Sequence, residues 1–455
     1  MSFDIFRAAW IPTDRGILSP SDALLKAREI RWPRGDWNGA TLLFLHAMLQ
    51  TAVVLNDRCE SEGDWEDLAN VSPASIDDWW AGFEAGDLPY QCKTAKNEVA
   101  VRAIMIGAPG ENALVKNSDV LSWRENVPAS LSKEEAMIAI IANQCFGVPL
   151  GNGYYEGVRG RKPVTVLLEP SEQDKTLFER LWLNVLSKDA WEEEYPAETN
   201  FAFPWSKDLP DEIVTSNSVH PLEMLWQLPR RWRMVEGDDG RVHAFMMENH
   251  GRNYALPWTH PLTPYYETKE NGWSAQKVTQ HAALQDWAAL STKIYAQGKK
   301  IPLVVKRALE DRGFFEDNAF RLRYFGWALG GADAPGTWVE YPMPFYRKVD
   351  AETAEQSLAF LEKAKNSLRA GIENIVKGDR FKHLAKKQMS QLDSDVEATF
   401  YACVSKNDWT EWKKSVISSA VEIAESIGDR YRVNEFDFAR AMKNMKESLY
   451  KQASK

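Results

Sequence analysis

A chain of 455 residues exceeds one ordinary hydrophobic core and is expected to divide into two or three domains. Its 44% hydrophobic and 26% charged residues are the balance of a soluble globular protein, and a net charge of −10 argues against a protein that coats nucleic acid unaided. There is no run of about 18 apolar residues and no basic-then-apolar N-terminus, so neither a membrane span nor a signal peptide is expected.

In chain order, Leu42, Leu45, Leu49 and Ala52 recur at helical spacing and predict a helix over residues 41–54. A second helix is predicted over 133–144, with Ser132 as N-cap and Glu135 completing a capping box. Residues 149–170 read PLGNGYYEGVRGRKPVTVLLEP. Four glycines there (Gly151, Gly153, Gly157, Gly160) allow sharp turns and close approach. Arg159, Arg161 and Lys162 follow as candidates for phosphate positioning, and 164–168 is a predicted buried strand. This is the composition of a loop that presents main chain and cations to a polyanion, and equally that of a plain turn before a strand. Further strands are predicted at 232–235, 242–247 and 337–341, with Asp238-Asp239-Gly240 as a hairpin turn between the first two.

From Asp350 the pattern changes. Leu358, Leu361, Ala364, Leu368, Ile372 and Ile375 form one helical stripe, with Asp350 as its cap and Gly378 as its stop. Leu392, Val396, Phe400 and Cys403 form a second. Trp409, Trp412, Val416, Ala420 and Ile423 form a third, and Phe438, Met442, Met445 and Leu449 a fourth. Four such stripes with short connections predict an antiparallel four-helix bundle. The fold class is therefore α+β: a large mixed α/β domain over 1–349, then the bundle over 350–455. Nineteen tryptophans supply anchors for cores and for interfaces, and favour membership of an assembly.

Catalytic signatures are sparse. Cys59, Cys92, Cys145 and Cys403 are dispersed, which fits a reducing cytoplasm better than a zinc site or disulfide framework. No HExxH, GxxxxGK[ST] or GxSxG motif occurs. His243, Asn249, His250 and His260 form a loose cluster that leaves a metal-dependent nuclease as a lesser alternative, although the Pro-rich stretch 253–264 is ill suited to the helix such a site needs. No cofactor and no resident metal are expected.

Several segments, in this order, carry a resemblance. They are Trp10-Ile11-Pro12, Pro89-Tyr90-Gln91, the glycine loop, 181–186 (LWLNVL), 221–233 (PLEMLWQLPRRWR), His260-Pro261, 265–273 and 395–401 (DVEATFY). Together they resemble the CasA family, the large subunit of type I-E CRISPR Cascade surveillance complexes. The resemblance implies a non-catalytic subunit that recognises the protospacer-adjacent motif (PAM) in target double-stranded DNA, aids strand separation and recruits the helicase-nuclease. It implies crRNA and the small and backbone Cascade subunits as partners, a cytoplasmic location and no membrane. Gly151, Asn152 and Gly153 resemble the PAM-reading glycine loop, and Lys269 resembles a lysine in a hairpin that reaches the minor groove. Gly331, Ala332, Asp333, Ala334 and Pro335 resemble the strand-separating wedge, but without a glutamine at the tip and with Asp333 set to repel phosphate. Leu114, Val115, Lys116 and Asn117 resemble a loop that meets the guide RNA and a backbone subunit. Lys382, Lys386 and Lys387 are candidates for the bundle's contact with small subunits and the displaced strand. Arg230, Arg231 and Arg233 suit either phosphate or carboxylates inside the fold. The other reading is an interaction scaffold that holds subunits together without reading DNA.

Overall fold

The computed structural model describes residues 4–71, 73–106, 128–147, 155–160, 162–172, 174–206, 213–248, 250–269, 272–278, 299–310, 312, 320–328, 337–344, 351–376, 380–431 and 434–453. By its contacts the chain forms two compact units, one built from Met1–Gln280 and Gly298–Pro342, the other chiefly from Met343–Lys455.

The first unit is organised around the helix Gly35–Leu55, which begins earlier than its apolar spacing suggests. It is apolar on all sides, and a helix of that kind belongs inside a core. By length and composition it is apolar enough to cross a membrane, yet 89% of its most apolar window is buried within the fold. The polar groups it carries inward all find partners, as buried polar groups must. His46 Nε2 lies 2.8 Å from the Asn184 carbonyl, so the neutral ring carries its proton there and donates. Gln50 donates to the Leu186 carbonyl at 3.0 Å and accepts from the Leu186 N–H at 2.8 Å. Trp32 and Trp226 donate their indole N–H groups to Thr41 and Thr51, each at 2.9 Å. These bonds fix the helix's rotation and height against residues 183–187, which apolar packing alone does not.

Around this helix sits an aromatic cluster: Phe6, Trp10, Phe44, Phe83, Phe203 and Trp226 meet one another at centroid distances of 5.1–6.2 Å. Trp10, Trp65, Trp80, Trp182, Trp191 and Trp226 are fully buried in this unit. The tryptophan richness that suggested interfaces thus largely builds cores.

Small sheets close the unit. Lys133–Phe146 is a helix with the full Ser132/Glu135 capping box. Arg231–Glu236 and Val242–Glu248 pair antiparallel around a turn with Gly240 at φ +73°, and Asn97–Ala100 adds to the outer edge of Val242–Glu248. Thr165–Pro170 pairs antiparallel with Phe320–Ala328, which is flanked in turn by Thr337–Pro344. The stretch 253–264 contains only a two-residue strand, Asn253–Tyr254, parallel to Ile213–Val214.

The second unit is a four-helix bundle: Ala351–Ile375, Arg380–Lys406, Trp412–Tyr431 and Glu435–Ala453. The four stripes face inward, from Leu358 through Ile375, Leu392 through Cys403, Trp412 through Ile423, and Met442 through Leu449. Trp409 precedes its helix and Phe438 is half-buried. The indole of Trp412 donates to the Ser357 carbonyl at 2.9 Å, tying the third helix to the first. Asp350 and Gly378, the expected cap and stop, lie outside the described residues.

Candidate nucleic-acid interface

A small three-stranded sheet carries several exposed lysines. Its central strand, Tyr265–Glu267, pairs antiparallel with Trp273–Ala275 on one side and Lys299–Lys300 on the other. Thr268 closes the hairpin turn, donating from both its N–H and its hydroxyl to the Gly272 carbonyl at 2.8 and 2.9 Å. Lys269 stands exposed in that turn.

The foot of the glycine-rich segment joins the same sheet. Val278 N–H donates to the Lys162 carbonyl and Val164 N–H to the Gln276 carbonyl, each at 3.0 Å, and Pro163 bridges to Lys277. Lys162 adopts a left-handed conformation there, φ +55°. Two cations selected separately from the sequence, Lys162 and Lys269, therefore sit on one continuous piece of sheet, together with Lys277, Lys299 and Lys300. Its described residues carry these five lysines against the single carboxylate Glu267, in a chain whose total is −10. Lys269, Lys277 and Lys300 are exposed.

The roots of the glycine loop are held by a second segment, 226–231. At the outgoing root, a Cβ on Gly147 would stand 1.9 Å from an Arg230 guanidinium nitrogen. That guanidinium donates to the Asn143 side-chain oxygen at 2.7 Å, and Gln144 donates to the Arg230 carbonyl at 2.8 Å. At the returning root, the Val158 N–H donates to Gln227 Oε1 at 2.6 Å, and a Cβ on Gly157 would fall 2.4 Å from the same oxygen. Tyr155 stacks on His250, centroids 4.7 Å apart. Two segments of the sequence resemblance, the glycine loop and the Trp-Gln-x-x-Arg-Arg stretch at 226–231, thus form one structural assembly: loop roots and their socket.

Arg159 is a correction. It is 1% exposed, donates to Thr165 Oγ1 at 2.8 Å and to the Cys145 carbonyl at 3.2 Å, and lies over the Phe146 ring at 5.3 Å. A guanidinium so enclosed reinforces the base of the loop and does not meet a phosphate. Arg230 and Arg231 are likewise buried, Arg231 facing Glu248 at 3.4 Å, while Arg233 donates to the Lys93 carbonyl at 3.2 Å. Gly151, Asn152, Gly153 and Arg161 lie outside the described residues, as do Leu114, Val115, Lys116 and Asn117 of the guide loop and Gly331, Ala332, Asp333, Ala334 and Pro335 of the wedge. On the second bundle helix Lys387 is exposed.

The histidines are not gathered into one centre. Exposed His243 is bonded to Asp239 at 2.9 Å, and His250 stacks on Tyr155. His260 is buried, accepts from the Leu262 N–H at 3.2 Å and is held well below the usual imidazole range by burial, with Arg159 adding to the effect. Among the described residues no group of three or more His, Cys, Asp or Glu side chains is arranged to hold a metal. Another arginine cluster faces a cleft of about 610 Å³, but Arg180, Arg321 and Arg323 converge on buried Glu169 there. Burial opposes ionisation of Glu169, yet Arg180 and Arg323 outweigh it and hold its carboxyl below the usual range. Sequence spacing gave no sign of this network, which joins residues about 150 positions apart in the chain, as the Arg323–Glu169 bond shows.

The sequence model of the family described as CRISPR-associated protein Cse1 matches residues 4–409. The fold is similar to that of Thermus thermophilus CasA (Cse1), with a TM-score of 0.71 at 14% identity over 100% of this chain and 99% of that one. Cse1 from Acidimicrobium ferrooxidans gives 0.69 at 15% identity over 100% and 99%. A chain of a CRISPR RNA-guided surveillance complex gives 0.70 at 16% identity over 99% of both. At these identities the likeness is one of fold. No curated protein matches by sequence.

Proposed function

The chain belongs to the CRISPR-associated Cse1 (CasA) family, and we propose that it serves as the non-catalytic large subunit of a type I-E, crRNA-guided Cascade surveillance complex in the cytoplasm. In this reading it recognises the PAM of target double-stranded DNA, aids separation of the strands and recruits the helicase-nuclease. Its partners are the crRNA and the small and backbone subunits, with the loop at Leu114–Asn117 meeting the guide and the segment Gly331–Pro335 as the wedge.

The observation that carries the DNA-reading part is the lysine sheet. Lys162 and Lys269 come together with three further lysines on an otherwise acidic protein, beside the root of the loop holding Gly151, Asn152 and Gly153. Lysines on a hairpin suit minor-groove acceptors and phosphates, whose code is degenerate, so more than one PAM should be accepted. Because the net charge is −10, binding is expected from the assembled complex and not from the free chain.

Lys269→Ala in the assembled complex should weaken binding of a PAM-bearing duplex by about 1–3 kcal/mol, the worth of a good base-edge contact. Equal affinity of Lys269→Ala and wild-type complexes, with no crosslink from a photoreactive PAM base to the sheet or loop, would leave only a subunit scaffold.

A further inference from the structure

The hairpin that carries Lys269 leaves two aromatic rings open to solvent. Trp273 is 38% and Tyr266 39% exposed, whereas their strand neighbours Ala275 and Tyr265 are buried. Trp273 pairs with Glu267 and Tyr266 with Ser274, so the two rings lie on opposite faces of the hairpin. Most tryptophans of this unit are enclosed in its core; Trp273 is one that reaches outward from a sheet edge. The Lys300 Nζ lies over its ring, 4.5 Å from the centroid, so one face of the indole carries a cation. Lys277 and Lys269 flank it in sequence on the same element.

An exposed indole with the Lys300 ammonium at its ring, on a hairpin that carries further lysines, matches the two halves of a nucleotide, a flat base and an anionic phosphate. An acidic protein surface would satisfy the lysines but would have no use for the ring face. A paired base within a duplex hides its faces by stacking, whereas an unpaired one offers them. We propose that Trp273 is a stacking platform for an unpaired base of the target DNA, with Lys300 neutralising the adjoining phosphate. The inference rests on the DNA-reading function proposed above and adds a holding surface for a strand once it has opened.

The test uses the complete complex, its guide and a target duplex carrying 2-aminopurine at successive positions beside the PAM. Unstacking from neighbouring bases brightens the probe, and stacking on indole quenches it again. Trp273→Ala should brighten one position and weaken target binding about tenfold, within the range for a single base–aromatic stack. Trp273→Phe should retain most of the quench, and Lys300→Gln should fall between. Thermal melting of each variant checks that the exposed site has left the fold intact. If Trp273→Ala matches wild type in both probe intensity and affinity, the platform is refuted while the DNA-reading function stands. If Trp273→Ala instead loses other subunits, and the complexes that still form bind DNA normally, the ring belongs to a protein contact and the platform is likewise refuted. A wild-type complex that binds no duplex would overturn both.

Discussion

The dependence of the loop root on Gln227 can be measured by a double-mutant cycle with Gly157. The Val158 N–H donates to Gln227 Oε1 at 2.6 Å, and the same oxygen would lie 2.4 Å from a Cβ at position 157. Gly157→Ala must therefore push a buried amide aside by an ångström or so, costing about 1–3 kcal/mol for the overpacking and a similar amount for the stranded N–H. Gln227→Ala loses only the hydrogen bond, about 1–3 kcal/mol. In the double variant the new methyl occupies space the amide has vacated, so its cost should match Gln227→Ala alone. The two substitutions should then be non-additive by the whole cost of Gly157→Ala, roughly 4 kcal/mol, in the direction of rescue. Urea unfolding followed by tryptophan fluorescence, which reports chiefly on the first unit, gives the stabilities. Duplex binding by the assembled complex should fall and recover in parallel. Costs that add to within about 0.5 kcal/mol, or a neutral Gly157→Ala, would show that Gln227 does not hold this root.

Other outcomes follow from buried polar groups. Arg159→Ala should destabilise the protein by about 2–4 kcal/mol through two lost charge-assisted bonds, as urea unfolding would read. Burial pushes the His46 imidazole down to about 4 from an ordinary 6.5, so stability is full above pH 6.5. Below that the unfolded chain takes up the proton first, and stability should fall by on the order of 3 kcal/mol as the pH drops towards 4. Thermal melts between pH 7 and 4.5 should show the loss, and His46→Gln, which keeps a donor for the Asn184 carbonyl, should remove that share of it, leaving the part contributed by His220 and His260, whose imidazoles burial also pushes down. Ser132→Ala removes the cap from Lys133–Phe146 and should cost about 1 kcal/mol, again by urea unfolding.

Local patterns were legible in the sequence, and long-range pairing was not. The bundle stripes follow from helical spacing, the Ser132/Glu135 cap from three-residue chemistry, and the Val242 hairpin from Asp-Asp-Gly. Arg159 reads as a phosphate ligand because charge alone does not reveal whether a guanidinium is enclosed. What encloses it, Thr165, Cys145 and Phe146, comes from a helix and a strand on either side of the loop. The lysine sheet was invisible for the same reason. Its strands come from segments near 163, 266, 274 and 299, and each lysine taken singly looks like an ordinary surface residue. Gln227 and Arg230 belonged to a motif that stood out by resemblance, yet only their contacts with Gly157 and Gly147 explain why those residue types sit there.

The five lysines on one sheet stand against a net charge of −10 for the whole chain. If the sheet meets DNA as proposed, a polyanion approaching it is attracted there while the net negative charge of the chain opposes approach elsewhere, so a torque acts on it before contact. That torque reaches only about 8 Å in physiological salt, which confines it to the last stage of approach. Added salt should therefore slow the arrival of DNA more than it hastens departure, and correct orientation would be set at encounter, before any base is read.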